Sequence, residues 1–127
     1  MSTLPTDEFT FTIKLTGFRT KKTYEGTFTY KIPDLGKEAK IEKDYARLTE
    51  GLNLSKDIDN LYYMLSYLAN TLASDNFPSW WKDFLELEIR DYNIYSELHT
   101  KCLELEEKWQ KDVWGEDEEP KEADTAS

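Results

Sequence analysis

Phe9-Thr10-Phe11-Thr12-Ile13-Lys14-Leu15-Thr16 is the stretch that decides how this chain folds. Phe9, Phe11, Ile13 and Leu15 alternate with Thr10, Thr12, Lys14 and Thr16, and a period of two sends successive side chains to opposite faces of a strand. One face is therefore dry and the other wet. After the loop Gly17-Phe18-Arg19-Thr20-Lys21-Lys22 the alternation resumes, with Tyr24, Phe28, Tyr30 and Ile32 set against Thr27, Thr29 and Lys31. Pro33 lacks the amide donor that a continuing ladder needs, so the second strand stops there. The two strands read as an antiparallel hairpin over 9–32. A lone hairpin is marginal in water, so its apolar face needs a cover from the rest of the chain.

The cover is helical. Ile41, Tyr45, Leu48 and Leu52 recur at spacings of four, three and four, which predicts an amphipathic helix over 37–50 that Gly51 terminates. Ser55 is placed to cap a second helix in which Ile58, Leu61, Tyr62, Leu65, Leu68, Ala69 and Leu72 form a broad apolar stripe. Its other face, Asp59, Tyr63, Ser66 and Asn70, is mildly polar and suits contact with another element or another subunit. Ser74-Asp75-Asn76-Phe77-Pro78 breaks the chain, and Ser79 is placed to cap a third helix at Trp80-Trp81. A fourth is expected from Asp91 to Val113, continuous with the third or kinked from it, carrying Tyr95, Leu98, Cys102, Leu105 and Trp109 in a heptad-like stripe.

The expected class is α+β: an N-terminal antiparallel β-hairpin packed on a bundle of three or four α-helices. A chain of 127 residues accommodates one domain with its own core, placed here at 9–114, with residues 1–8 as a flexible N-terminus. Residues 115–127 show no apolar periodicity and are expected to be a disordered acidic tail.

Charge is unevenly spread. The formal net is −10; residues 116–127 hold six acids against Lys121, whereas residues 9–31 hold five bases against Glu25. A bulk field of this sign repels phosphate backbones, so nucleic acid is not expected as a partner. No charged leader precedes an apolar run, and the longest apolar stretch, Leu61 to Leu72, is broken by Ser66 and Asn70. Neither export nor a membrane span is expected.

Chemistry finds few footholds. Cys102 and His99 are the single residues of their kinds, too few to close a zinc site, and the glycines at 17, 26, 36, 51 and 115 build no phosphate loop. No serine elbow exists to work with His99. Glu86, Glu88, Glu97, Glu104, Glu106 and Glu107 read as solvated helix positions beside lysines. A non-enzyme without metal or cofactor is the expectation.

Three features point to protein interaction instead. Phe18 stands among Arg19, Lys21 and Lys22 at the hairpin tip, either a solvated flexible loop or an apolar anchor in a basic collar. Trp80 and Trp81 are neighbours on a helix, about 100° apart, so both rings are not expected at one spot in the core; one is exposed for a partner or lies over the helix junction. Tyr95, Leu98, Leu105 and Trp109 pack on the second helix or mediate self-association into a homo-oligomer.

The order of landmarks carries a resemblance over about residues 9–110. Thr-x-Lys-x-Thr-Gly at 12–17, Lys-Thr-Tyr-Glu-Gly-Thr-Phe-Thr-Tyr-Lys-Ile-Pro at 22–33, Ala-x-Leu at 46–48, Phe-Pro-Ser-Trp-Trp at 77–81 and Asp-Tyr-Asn-Ile-Tyr-Ser-Glu-Leu at 91–98 resemble small late-gene proteins of tailed bacteriophages. Some of these look like tail assembly chaperones, helpers in the host cytoplasm that coat the tape-measure protein and recruit tail-tube subunits. The resemblance implies those two partners, and many such chaperones have a frameshifted longer form. Two other classes fit the same composition: a structural virion component, such as a capsid decoration or tail protein, and an acidic inhibitor of a host defence protein.

Overall fold

The computed structural model describes residues 7–114. They form an α+β domain in which β1 (Glu8–Thr16) and β2 (Thr23–Lys31) lead into α1 (Leu35–Thr49), α2 (Lys56–Thr71), a two-residue β3 (Leu72–Ala73), α3 (Trp81–Leu85) and α4 (Asn93–Trp114). The tail expected at 115–127 and residues 1–6 lie outside the described residues. Asp7 and Glu8 are not part of a flexible N-terminus: the Asp7 carbonyl accepts the Ile32 amide at 2.8 Å, and Glu8 opens β1.

The hairpin pairs as the alternation requires. Phe9 lies opposite Tyr30, Phe11 opposite Phe28, Ile13 opposite Gly26 and Leu15 opposite Tyr24, all on the face the helices cover. The wet face carries cross-strand threonine pairs, Thr10 with Thr29 and Thr12 with Thr27, hydroxyl to hydroxyl at 2.9 and 2.8 Å. A third strand, not expected from the sequence, joins the other side of β2, giving the order β1-β2-β3. Leu72 belongs to it and not to the helical stripe.

Beyond β3 the free carbonyls of β2 are met by side chains. Ser74 donates its hydroxyl to the Thr27 carbonyl at 2.8 Å, and the Trp80 indole donates Nε1–H to the Glu25 carbonyl at 3.0 Å. These bonds bring the 74–81 segment over the hairpin. Gly26 makes the approach possible, since a Cβ there would lie 2.9 Å from the Pro78 ring.

Asp34 caps α1 by accepting the Lys37 amide at 2.8 Å, starting that helix two residues before the periodicity suggested. Gly51, at φ +77°, follows its end. Ser55 caps α2 as expected, accepting the Ile58 amide. The mildly polar face of α2 is covered by α1: Tyr45 donates to Asp59 at 2.6 Å, its ring stands edge-on to Tyr63, and Asn70 donates to Asp44. Another element, not another subunit, accounts for that face.

Ser79 does not cap α3; Trp80 occupies the cap position without a side-chain bond. The third and fourth helices are separate, because Leu87 turns the backbone to φ 58° between them. Glu86 and Glu88 consequently lie in this connection and not on a helix face. The core gathers Phe28, Tyr30, Ile41, Leu68, Phe84, Ile94, Tyr95, Leu98 and Cys102 from every layer. Among the described residues, no helix is long and apolar enough to cross a membrane.

Candidate protein-docking site

The loop joining β1 to β2 is built around a buried carboxylate that lies far downstream in sequence. Asp91 is fully buried, and its Oδ1 accepts the amides of Arg19 and Thr20, both at 2.8 Å. Its Oδ2 accepts the Thr20 hydroxyl and, at 2.7 Å, the Tyr24 phenol. Burial by itself would raise the Asp91 carboxyl, but these four hydrogen bonds, led by those from Thr20, outweigh it and hold the group well below the usual carboxylate range. The charge is thus spread over donors that belong to the loop. Tyr24 feels the reverse, its phenol pushed up to about 12 by burial and then by the Asp91 charge.

Asn93 adds a second clamp. It accepts the Phe18 amide at 2.9 Å and donates to the Thr16 carbonyl at 3.1 Å and to Glu97 at 2.7 Å. The loop closes on itself through Gly17 N–H to the Lys22 carbonyl, 2.8 Å, and Lys21 N–H to the Gly17 carbonyl, 3.0 Å. Gly17 is dictated by the clamp, since a Cβ on it would sit 2.1 Å from the Asp91 carboxyl carbon. Lys21 takes up the left-handed turn at φ 65°. With its amides committed, the loop is held in one shape.

What the loop displays is apolar and basic. Phe18 is 71% exposed, and Arg19, Lys21 and Lys22 are exposed around it. The Arg19 guanidinium lies 6.0 Å from the centre of the Tyr92 ring, itself half exposed, and Lys22 stands 5.8 Å from the Tyr24 ring. Tyr92 joins the patch because it sits between the two clamping residues.

The tryptophans are placed differently from the expectation. Trp81 is buried and stacks between Phe77 at 5.1 Å and Phe84 at 5.0 Å; Trp80 is half-buried, edge-on to Tyr24 at 5.3 Å, with its N–H engaged. Both rings meet one aromatic cluster, 5.9 Å apart, because Trp80 precedes the short helix and an indole is long enough to reach back over Phe28. Both rings are engaged by the fold's own aromatic side chains, Trp81 fully and Trp80 in part. The stripe read either as packing within the chain or as self-association divides in two. Tyr95 and Leu98 are fully buried against this chain's own core, while Leu105 and Trp109 are half-buried beside it.

Burial shifts two further titratable side chains. The Cys102 thiol is pushed up to about 12, and His99, edge-on to Tyr67 at 5.0 Å, is lowered from its ordinary value. Asp91 and Asn93 were missed in the sequence as site residues; the one available signal was two helix-start side chains, Asp and Asn, flanking a tyrosine. Comparison with protein-family models, curated proteins and solved structures gave no match for the chain.

Proposed function

We propose that the protein is a non-enzymatic virion-assembly protein of a tailed bacteriophage, acting as a tail assembly chaperone that docks tape-measure or tail-tube protein through the 17–22 loop. The observation that carries the docking part is the exposed Phe18 on a loop fixed by Asp91. An aromatic anchor already held in its binding shape loses little conformational entropy on association, and its basic collar favours an acidic or polar rim on the partner. The resemblance over 9–110 supports the phage setting. The acidic stretch at 116–127 supports solubility of an assembly intermediate.

The test is mass spectrometry of purified particles alongside affinity capture from infected-cell lysate. The expected result is absence from particles and recovery of tape-measure or tube protein, with capture lost in the combined variant Phe18→Ala, Lys21→Ala, Lys22→Ala while the melting temperature stays within a few degrees. Many copies per particle would make the protein a structural component. Undiminished capture by the variant would remove the loop from the mechanism.

A further inference from the structure

Opposite charges stand at the two ends of α4. The basic loop sits at its start, because Asn93, the first residue of α4, holds the Phe18 amide and the Thr16 carbonyl. Lys101 stands 6.0 Å from the Phe11 ring, so β1 runs antiparallel to α4 and the 17–22 loop projects past the first residue of the helix. Among the described residues, Arg19, Lys21 and Lys22 take part in no ion pair. The other end leads from Trp114 into Gly115-Glu116-Asp117-Glu118-Glu119, four acids in succession. Between the two ends lie 22 residues of helix, about 32 Å. An extended chain spans at most about 3.6 Å per residue, so these acids stay within about 18 Å of Trp114 and fall short of the loop of their own copy. The side of α4 turned away from the core carries a second pattern. Tyr92, just before the helix, Leu103 and Trp114 are large side chains left nearly half exposed, and they recur at intervals of eleven residues. Eleven residues are close to three full turns, so the three lie along one side.

We propose that two copies of the chain pair along this side of α4, antiparallel, about a two-fold axis at Leu103. Tyr92 and Trp114 stand equally far from Leu103, so the axis sets Trp114 of each copy against Tyr92 of the other while the two Leu103 side chains meet. The acids that follow Trp114 then arrive at the cations beside Tyr92, where Arg19 already lies 6.0 Å from the ring. Direction follows from charge. Parallel helices bring loop against loop and acids against acids, whereas antiparallel ones set opposite charges together at both ends. Between the anchors, Ser96, Thr100 and Gln110 are uncharged and Glu107 is paired with Lys111 of its own helix at 3.9 Å, so the charges that choose the direction lie at the ends. A closed two-fold pair satisfies both ends of both copies and leaves none to recruit a third. The pairing is independent of which other protein the loop takes.

Sedimentation equilibrium of the full chain over a concentration series tests this. A reversible dimer of twice the chain mass is expected, weakening as salt is raised because the paired charges are exposed. Leu103→Glu puts two carboxylates on the axis and should weaken the dimer by about tenfold or more. The position is exposed, so the melting temperature should stay within a few degrees. Direction is read from charge reversal. Lys21→Glu with Lys22→Glu, and separately Asp117→Lys with Glu118→Lys, set like charges at both ends, and each pair should weaken self-association roughly tenfold. An equimolar mixture of the two double variants should restore wild-type affinity as a heterodimer, because each reversed end then meets its opposite. A chain that stays monomeric throughout, a dimer indifferent to Leu103→Glu, or reversed variants that gain nothing on mixing would overturn the proposal.

Discussion

At the residue scale, Asp91 is the position on which the loop depends. Its four donors come from residues 19, 20 and 24, and the Tyr24 phenol among them is buried and would be left without its acceptor. Asp91→Ala should therefore destabilise the protein by roughly 3 kcal/mol, read by urea denaturation. The acid limb of stability has its origin in the same bonds. The folded carboxyl lies below its ordinary value of 3.8, so the unfolded chain binds more protons as pH falls. The stabilisation is complete above that value and is lost below it. Asp44, held down by the Asn70 amide and then by Lys40, adds in the same direction. Asp91→Asn should flatten the decline of melting temperature between pH 5 and pH 2, a window set by these two lowered groups. Gly17→Ala offers an independent check. Its cost should be large in the wild type and much smaller in an Asp91→Ala background, because the clash is with the carboxylate itself.

At the element scale, β2 shows how an edge is closed with little strand. Its Glu25 carbonyl is served by an indole and its Thr27 carbonyl by a hydroxyl, where a longer β3 would have supplied amides. Trp80→Phe keeps most of the ring in the cluster and removes only the donor, so a loss of about 1 kcal/mol in chemical denaturation is expected. No loss would mean that water serves that carbonyl as well as the indole does. The helices were largely legible because their signals are local: Ser55 before the α2 stripe, Gly51 after α1, Pro33 after β2. β3 was not, since two residues carry no period and are recognised only by pairing with Thr29 and Tyr30. The α3–α4 break was hidden for a related reason, because a leucine takes the left-handed turn that a glycine would have announced.

At the scale of the whole molecule, sheet and helices share one core, with Phe28 and Tyr30 from the hairpin and Leu68, Phe84 and Leu98 from the helices all buried in it. Neither layer has an apolar interior of its own. Tryptophan fluorescence, which reports all four tryptophans with Trp80 and Trp81 in the core cluster among them, and far-ultraviolet circular dichroism should change in a single coincident transition. Separate transitions would show that the helices persist without the hairpin. By itself the sequence determined the α+β class, the pairing of two strands, the sites of most helix ends and an exposed apolar-basic tip, because each depends on periodicity or on residues within a few positions. Only the tertiary structure decided that the tip is clamped, that Trp80 and Trp81 share one aromatic cluster, that Tyr95 and Leu98 belong to the core, and that the outer edge of β2 is closed by a two-residue strand and two side chains. Each of these depends on which residues meet across distant parts of the chain, as Asp91 meets Thr20, and no local pattern encodes such a meeting.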